Sequence, residues 1–269
     1  MNAPEQEMVQ VSPSHQLWLA PEFIQLIRNA PRQDFVVRTI THREAHGMPL
    51  MSAEMVIAGA ETRQQFPLAK QYPMHFRKTY FPGRLHGDPS REYEKQQSAS
   101  EILGSPPPIG WTQNTFRSCF VAGRPYSRLT PFGVEPEENN VPIAEELPWA
   151  TAIGLWFLCC QIFDQMSRLH QAGLVHGDME LHNIVIAPAP IESVLIDFER
   201  SRKKEELAPT EWEKLVKIDQ TEILKEAVYL QCALGRQAGP LAEMAMERMG
   251  ELFLSPGRFE RHIRRQVTT

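Results

Sequence analysis

The chain has 269 residues, 42% hydrophobic and 23% charged, a balance that supports a real core in one large domain or two lobes and excludes a composition too polar to fold. Its formal net charge of −5 excludes an overall field that would gather nucleic acid or anionic membrane. The cysteines Cys119, Cys159, Cys160 and Cys232 contain no C-x-x-C pair, and adjacent Cys159 and Cys160 make a poor disulfide, so reduced, mostly buried thiols and an intracellular, cytoplasmic setting are expected.

The N-terminus, MNAPEQEMVQ, lacks the basic region and apolar run of a secretory signal. Met1–Ser14 is polar and reads as a loose tail, and Pro21–Ile27 as a short helix that packs on the body. Strands follow at Phe35–Thr41, Met55–Ala58 and Met74–Phe81. In the last of these, Met74, Phe76, Lys78 and Tyr80 share one face. An ammonium among three large apolar groups is costly to bury alone. Lys78 is therefore either a snorkelling lysine at a sheet edge or one aimed at phosphate.

Asp88 suits an N-cap, Pro89 the first helical position and Gly104 the end of a helix whose inward face carries Glu92, Ala99 and Leu103. Glu94 and Glu101 point nearly the opposite way. Ser105–Pro108 breaks the chain, Phe116–Ala122 reads as a strand, and Gly123-Arg124-Pro125 ends it where a hinge between two lobes would lie. Residues 131–149 are Pro-rich and acidic, a surface connection.

Pro148–Phe163 is strongly apolar but shorter than the roughly 20 residues of a spanning helix, and it runs directly into Asp164, Gln165 and Arg168. It belongs to a buried helix, Thr151–Ala172, with Leu155, Leu158, Ile162, Met166 and Leu169 on one face and Gly173 at its end. Two short strands, Ile184–Ala187 and Val194–Ile196, come next. Beyond them, helices are expected at Thr210–Lys217, Asp219–Gly235 and Leu241–Phe253. The basic run Arg258–Arg265 reads as a solvated helix end; nucleic-acid contact through it would show steep salt dependence, and the acidic net charge argues against that.

The chemistry concentrates in Leu169–Ser201. Asp178 lies in His176-Gly177-Asp178, Asn183 five residues later, and Asp197 after the second short strand, in Asp197-Phe198-Glu199. Phosphoryl transfer needs a carboxylate to take or orient the acceptor hydroxyl proton, hard oxygen ligands for Mg²⁺ and a cation for the phosphate tail. Asp178, Asn183 with Asp197, and Lys78 are residues of those types. Taken separately, each acid is an ordinary loop cap or turn-former; the joint spacing is what that reading leaves unexplained.

HGDMELHN followed by LIDFE resembles the catalytic loop and metal-binding turn of the protein-kinase-like phosphotransferases. The resemblance covers roughly residues 50–250 in lobe order and is sharpest over Leu169–Phe198. It implies a bilobal α+β protein-kinase-like fold, with an N-terminal extension over 1–34, a small strand-rich N-lobe over 35–122 and a larger helical C-lobe over 123–269. It implies ATP and Mg²⁺ as cofactors, Asp178 as catalytic base, and Asn183 and Asp197 as metal ligands. Lys78 and Glu92 take the roles of the family's strand lysine and its helix glutamate, Glu94 being the second choice. Phe120, Val121 and Ala122 correspond to the hinge whose backbone binds adenine, and Asp219 is similar to the acid that braces the catalytic loop.

The departures carry information. Residues 40–70 have no GxGxxG, only Gly47 and Gly59. Gly177 replaces the arginine that reads a phosphorylated activation loop, so such phosphorylation is not expected to be required. Glu199 stands where the family has glycine, which stiffens the turn. Glu180 replaces the lysine usual two residues after the base in Ser/Thr kinases, and Glu180-Leu181-His182-Asn183 departs from the HPxN ending of aminoglycoside and choline kinase-like enzymes. The segment 197–219 is short for a peptide-docking element. An atypical protein kinase is the first reading, a small-molecule phosphotransferase of the aminoglycoside or choline kinase-like type the second, and a pseudokinase binding module the third.

Overall fold

The structure is a computed structural model that describes residues 6–45, 48–81, 88–129, 149–188 and 191–237. The chain divides into two compact units: Met1–Gly123 with Ala187–Pro190 and Ile196–Ser201, and Arg124–Ile186 with Ile191–Leu195 and Arg202–Thr269. The architecture is α+β, strand-rich in the first unit and helical in the second.

The first unit opens with an antiparallel hairpin, β1 (Glu7–Gln10) and β2 (Gln16–Leu19), followed by α1 (Pro21–Asn29). The expectation of a loose tail over Met1–Ser14 is corrected for its described part. Val11 and Leu19 are buried with Ile24 of α1, Ile57 and Met74, and the Val11 carbonyl accepts the Phe120 N–H at 3.2 Å. The alternation Val9, Val11, Leu17, Leu19 carries this, hidden among polar neighbours.

β3 (Phe35–Ala45), β4 (Met48–Ile57), the short helices α2 (Ala60–Gln65) and α3 (Pro67–Gln71), and β5 (Met74–Tyr80) come next. Then follow α4 (Pro89–Leu103), β6 (Pro108–Trp111) and β7 (Thr115–Cys119). The strands form one antiparallel sheet in the order β3-β4-β5-β7-β6, so β5 is central and hydrogen-bonded on both sides. Gly59 enters α2 against the backbone of Gln33, where an added Cβ would lie 2.4 Å from a carbonyl carbon, so no larger residue fits. Helices α2 and α3 are missing from the sequence expectation because a six- and a five-residue helix leave almost no periodic pattern. Gly47 lies outside the described residues.

One face of the sheet carries a charged network. Asp34 accepts from Arg117 at 2.7 Å and Arg77 at 3.0 Å, and Glu54 pairs with Arg77 at 2.6 Å. Arg117 donates to His75 Nε2 at 2.9 Å. Burial, reinforced by the Arg117 guanidinium, pushes the His75 imidazole down to about 3. An unfolded chain protonates His75 below about pH 6.5, whereas the folded chain keeps it neutral. The stability it contributes is therefore present above about pH 6.5 and is lost as pH falls toward 3. Between about pH 6.5 and pH 5 the loss is about 2 kcal/mol. His75→Gln is expected to flatten that limb of the stability profile, read from urea midpoints at the two pH values.

The second unit begins with β8 (Arg124–Pro125) and a 3-10 turn, Tyr126–Arg128. It continues with α5 (Trp149–Gln171), β9 (Leu174–Val175), β10 (Ile184–Pro188), β11 (Ile191–Leu195), β12 (Arg202–Lys203) and α6 (Pro209–Gln237). Leu155, Leu158, Ile162, Met166 and Leu169 of α5 are buried, as are Ile223, Ala227, Leu230 and Leu234 of α6; the two helices pack together. Gln161 and Gln165 of α5 bond the backbone of Ser193 at 3.0 and 2.6 Å, which pins β11 to the helix. Cys119 and Cys159 are buried and Cys160 partly so, and none of the three is in a disulfide.

The two helices expected at Thr210–Lys217 and Asp219–Gly235 are one continuous α6. No glycine or proline interrupts residues 210–234, so nothing stops the helix at Ile218. The expected connection over 131–149 falls, up to residue 148, outside the described residues, as do the helix Leu241–Phe253 and the basic run Arg258–Arg265. Among the described residues, no helix is long and apolar enough to cross a membrane.

Candidate functional site

In the first unit the site is built around Lys78. It sits at the middle of β5, opposite Ala53 on one side and Phe116 on the other. Its side chain is only 3% exposed, which rules out a snorkelling lysine at a sheet edge. Its ammonium donates to Glu92 Oε1 at 2.9 Å, Asp197 Oδ1 at 2.8 Å and Glu199 Oε2 at 3.1 Å. Burial disfavours its charge, but Glu92, then Asp197 and Glu199, outweigh burial and hold its pKa well above the ordinary lysine value.

Helix α4 delivers Glu92. Asp88 caps it, its carboxylate accepting the Ser90 and Arg91 N–H groups at 3.0 and 3.4 Å, and the acid in the first turn suits the helix dipole. Glu92 is buried and takes a second bond from the Tyr80 hydroxyl. Glu94 is exposed, so helix phase separates the two glutamates.

Asp197 is held by an unusual turn. Its φ of 63° is left-handed, a conformation costly for a residue with a Cβ and one that asparagine and aspartate tolerate best. Phe198 behind it is fully buried, and Lys95 of α4 donates to the Glu199 carbonyl at 2.7 Å. Phe120, Val121 and Ala122 follow β7. Phe120 packs on the Val11–Met74 cluster with its N–H on Val11, and Val121 and Ala122 are nearly buried.

In the second unit the site is the turn between β9 and β10. Gly177 has φ 78°, so the position favours glycine over the arginine of the usual pattern. Asp219 of α6, fully buried, accepts the His176 N–H at 2.7 Å and the Gly177 N–H at 2.8 Å, with His170 Nε2 at 3.0 Å. The bracing expected of Asp219 is present, from the middle of a helix rather than its start. Asn183, on the 3-10 turn Leu181–Asn183, donates from Nδ2 to the Asp178 carbonyl at 2.8 Å and more weakly to Oδ2 at 3.5 Å.

The structure thus brings Lys78, Glu92 and Asp197 together in one unit, and Asp178 and Asn183 together in the other. Sequence reasoning missed Tyr80 as a partner of Glu92, Lys95 as a support of the 198–200 turn, and Glu199 as a third carboxylate on Lys78. Tyr80 was visible as the next residue on the face of Lys78. Among the described residues no group of three His, Cys, Asp or Glu residues is placed to hold a metal. The oxygens of Asp197 and Asn183 nevertheless have the chemistry Mg²⁺ prefers, which is one or two protein oxygens with substrate phosphates and waters completing the shell.

Residues 159–219 match the model of the lipopolysaccharide kinase (Kdo/WaaP) family, a span that holds Asp178, Asn183, Asp197 and Asp219. A probable bifunctional tRNA threonylcarbamoyladenosine biosynthesis protein of Methanothermobacter thermautotrophicus is 35% identical over 79 residues. That alignment covers 28% of this chain and 14% of the relative's length. Among solved structures, a double mutant of the Mycobacterium tuberculosis PknI kinase domain gives a TM-score of 0.46 at 16% identity, covering 75% of this chain and 76% of that one. The autoinhibited serine kinase domain of the giant muscle protein titin gives 0.39 at 11% identity, covering 64% and 46%.

Proposed function

We propose that this chain is a kinase-like, ATP- and Mg²⁺-dependent phosphotransferase acting on a hydroxyl group. The observation that carries the reading is the buried Lys78, paired at once with Glu92 and Asp197. A structural lysine on a central strand has no need of a partner from a turn 119 residues away, and buried ion pairs are a poor route to stability alone. Lys78 binds the phosphate tail, Glu92 with Tyr80 orients it, and the backbone of Val121 and Ala122 faces adenine, the Phe120 N–H being engaged by Val11. Asp197 and Asn183 each offer a side-chain oxygen that would serve as a Mg²⁺ ligand, the Asn183 amide nitrogen being turned to Asp178. When bound, Mg²⁺ supplies the positive charge that neutralises phosphate oxygens. Asp178 takes the proton of the acceptor hydroxyl as the new oxygen–phosphorus bond forms and the bond to ADP breaks.

A protein hydroxyl is the first choice of acceptor. The match to a lipopolysaccharide kinase model over 159–219 favours a second, a saccharide hydroxyl. Incubating the protein with ATP labelled at the γ-phosphate and a whole lysate, then separating protein from small molecules, tests both: label in either fraction supports transfer and names the acceptor class, and label in neither overturns the reading. Lys78→Met is expected to weaken Mg·ATP binding about tenfold or more, measured by calorimetry. Unchanged affinity would remove Lys78 from the phosphate site.

A further inference from the structure

The ammonium of Lys78 has three N–H donors, and it meets three carboxylates, at 2.9 Å from Glu92, 2.8 Å from Asp197 and 3.1 Å from Glu199. A phosphate oxygen therefore gains Lys78 only when one carboxylate withdraws. Glu92 is not that group: it is buried and also bonded to the Tyr80 hydroxyl. Asp197 is not either. Its short side chain extends from a left-handed backbone anchored by the fully buried Phe198. Glu199 has one more rotatable bond than Asp197 and the longest of the three contacts, and its side chain is 29% exposed, against 2% for Glu92 and 30% for Asp197. Its backbone is fixed separately, since Lys95 donates to its carbonyl at 2.7 Å, so its carboxylate can swing into solvent without moving the turn.

We propose that Glu199 is a displaceable counter-anion, a positioning residue that occupies Lys78 in the empty protein and yields it to the phosphates of an incoming nucleotide. This rests on the phosphotransferase reading and adds to it a cost that falls on phosphate binding alone. A phosphate-bearing ligand must break the Lys78–Glu199 pair, and the anion it brings replaces the carboxylate on the ammonium. Apparent affinity for phosphate-bearing ligands falls by the fraction of molecules in which Glu199 holds the lysine. Ligands without phosphate leave the pair intact and are indifferent to it.

Calorimetric titration of the full chain with Mg·ATP, Mg·ADP and adenosine, in wild type, Glu199→Gln, Glu199→Ala and the exposed control Glu94→Gln, tests this. The expected result is that both Glu199 variants bind ATP and ADP about five- to tenfold more tightly, bind adenosine as wild type does, and unfold within a few degrees of it. Glu94→Gln, which removes the same charge, is expected to match wild type throughout. ATP affinity that is unchanged or weaker in both Glu199 variants overturns the proposal, as does equal tightening for adenosine or for Glu94→Gln. Those outcomes leave the phosphotransferase reading standing. A wild-type chain that binds none of the three ligands overturns both.

Discussion

Asp178→Asn is expected to lower kcat about a thousandfold while changing the affinity for Mg·ATP less than about threefold. The substitution keeps the size and planarity of the side chain and removes only its ability to accept a proton. The loop has no strong reason to move. Asn183 is fixed mainly to the Asp178 carbonyl, at 2.8 Å, and only weakly to the carboxylate, at 3.5 Å. The carbonyl survives the substitution. The His176 and Gly177 amides remain on Asp219. A loss confined to kcat identifies an interaction made only as the phosphoryl group moves. Label transfer at saturating ATP, with binding measured separately, distinguishes the two effects. Turnover within tenfold of wild type would mean that another group takes the hydroxyl proton.

The candidate site was legible where local pattern and chemistry coincide. Alternation along β5 placed Lys78 on a face with Met74, Phe76 and Tyr80, and helix phase selected Glu92 over Glu94. The spacing of Asp178, Asn183 and Asp197 set an amide and two acids around a hairpin. What stayed hidden depends on distance along the chain. Glu199 meets Lys78 across 121 residues, and no periodicity reports such a contact, so its place in the motif was readable only as a stiffer turn. The Val11–Phe120 hydrogen bond links backbone groups, which sequence does not distinguish. In α6 the error ran the other way. The sequence reading starts a new helix at Asp219, whereas the residue lies inside one continuous helix. Here its two oxygens hold backbone groups of a different segment.

That role makes Asp219 the residue whose loss is expected to cost the most stability. Asp219→Ala is expected to destabilise the chain by about 4 kcal/mol and Asp219→Asn by about 2 kcal/mol. The alanine variant leaves the His176 and Gly177 amides without their acceptor and removes the partner of His170, all against the fully buried Asp219 position. A buried donor without an acceptor costs about 1–3 kcal/mol. Asparagine keeps one acceptor oxygen but turns an NH₂ toward the other backbone donor. The damage reaches function because Gly177 sits at φ 78°, and glycine itself does not prefer that conformation over its alternatives. The two bonds to Asp219 select it and thereby aim Asp178. Both variants are therefore expected to lower kcat more than they raise the KM for ATP. Urea unfolding and steady-state kinetics below the unfolding transition measure the two consequences. A variant that is destabilised as stated but retains wild-type kcat would show that Asp219 holds the fold without positioning the base.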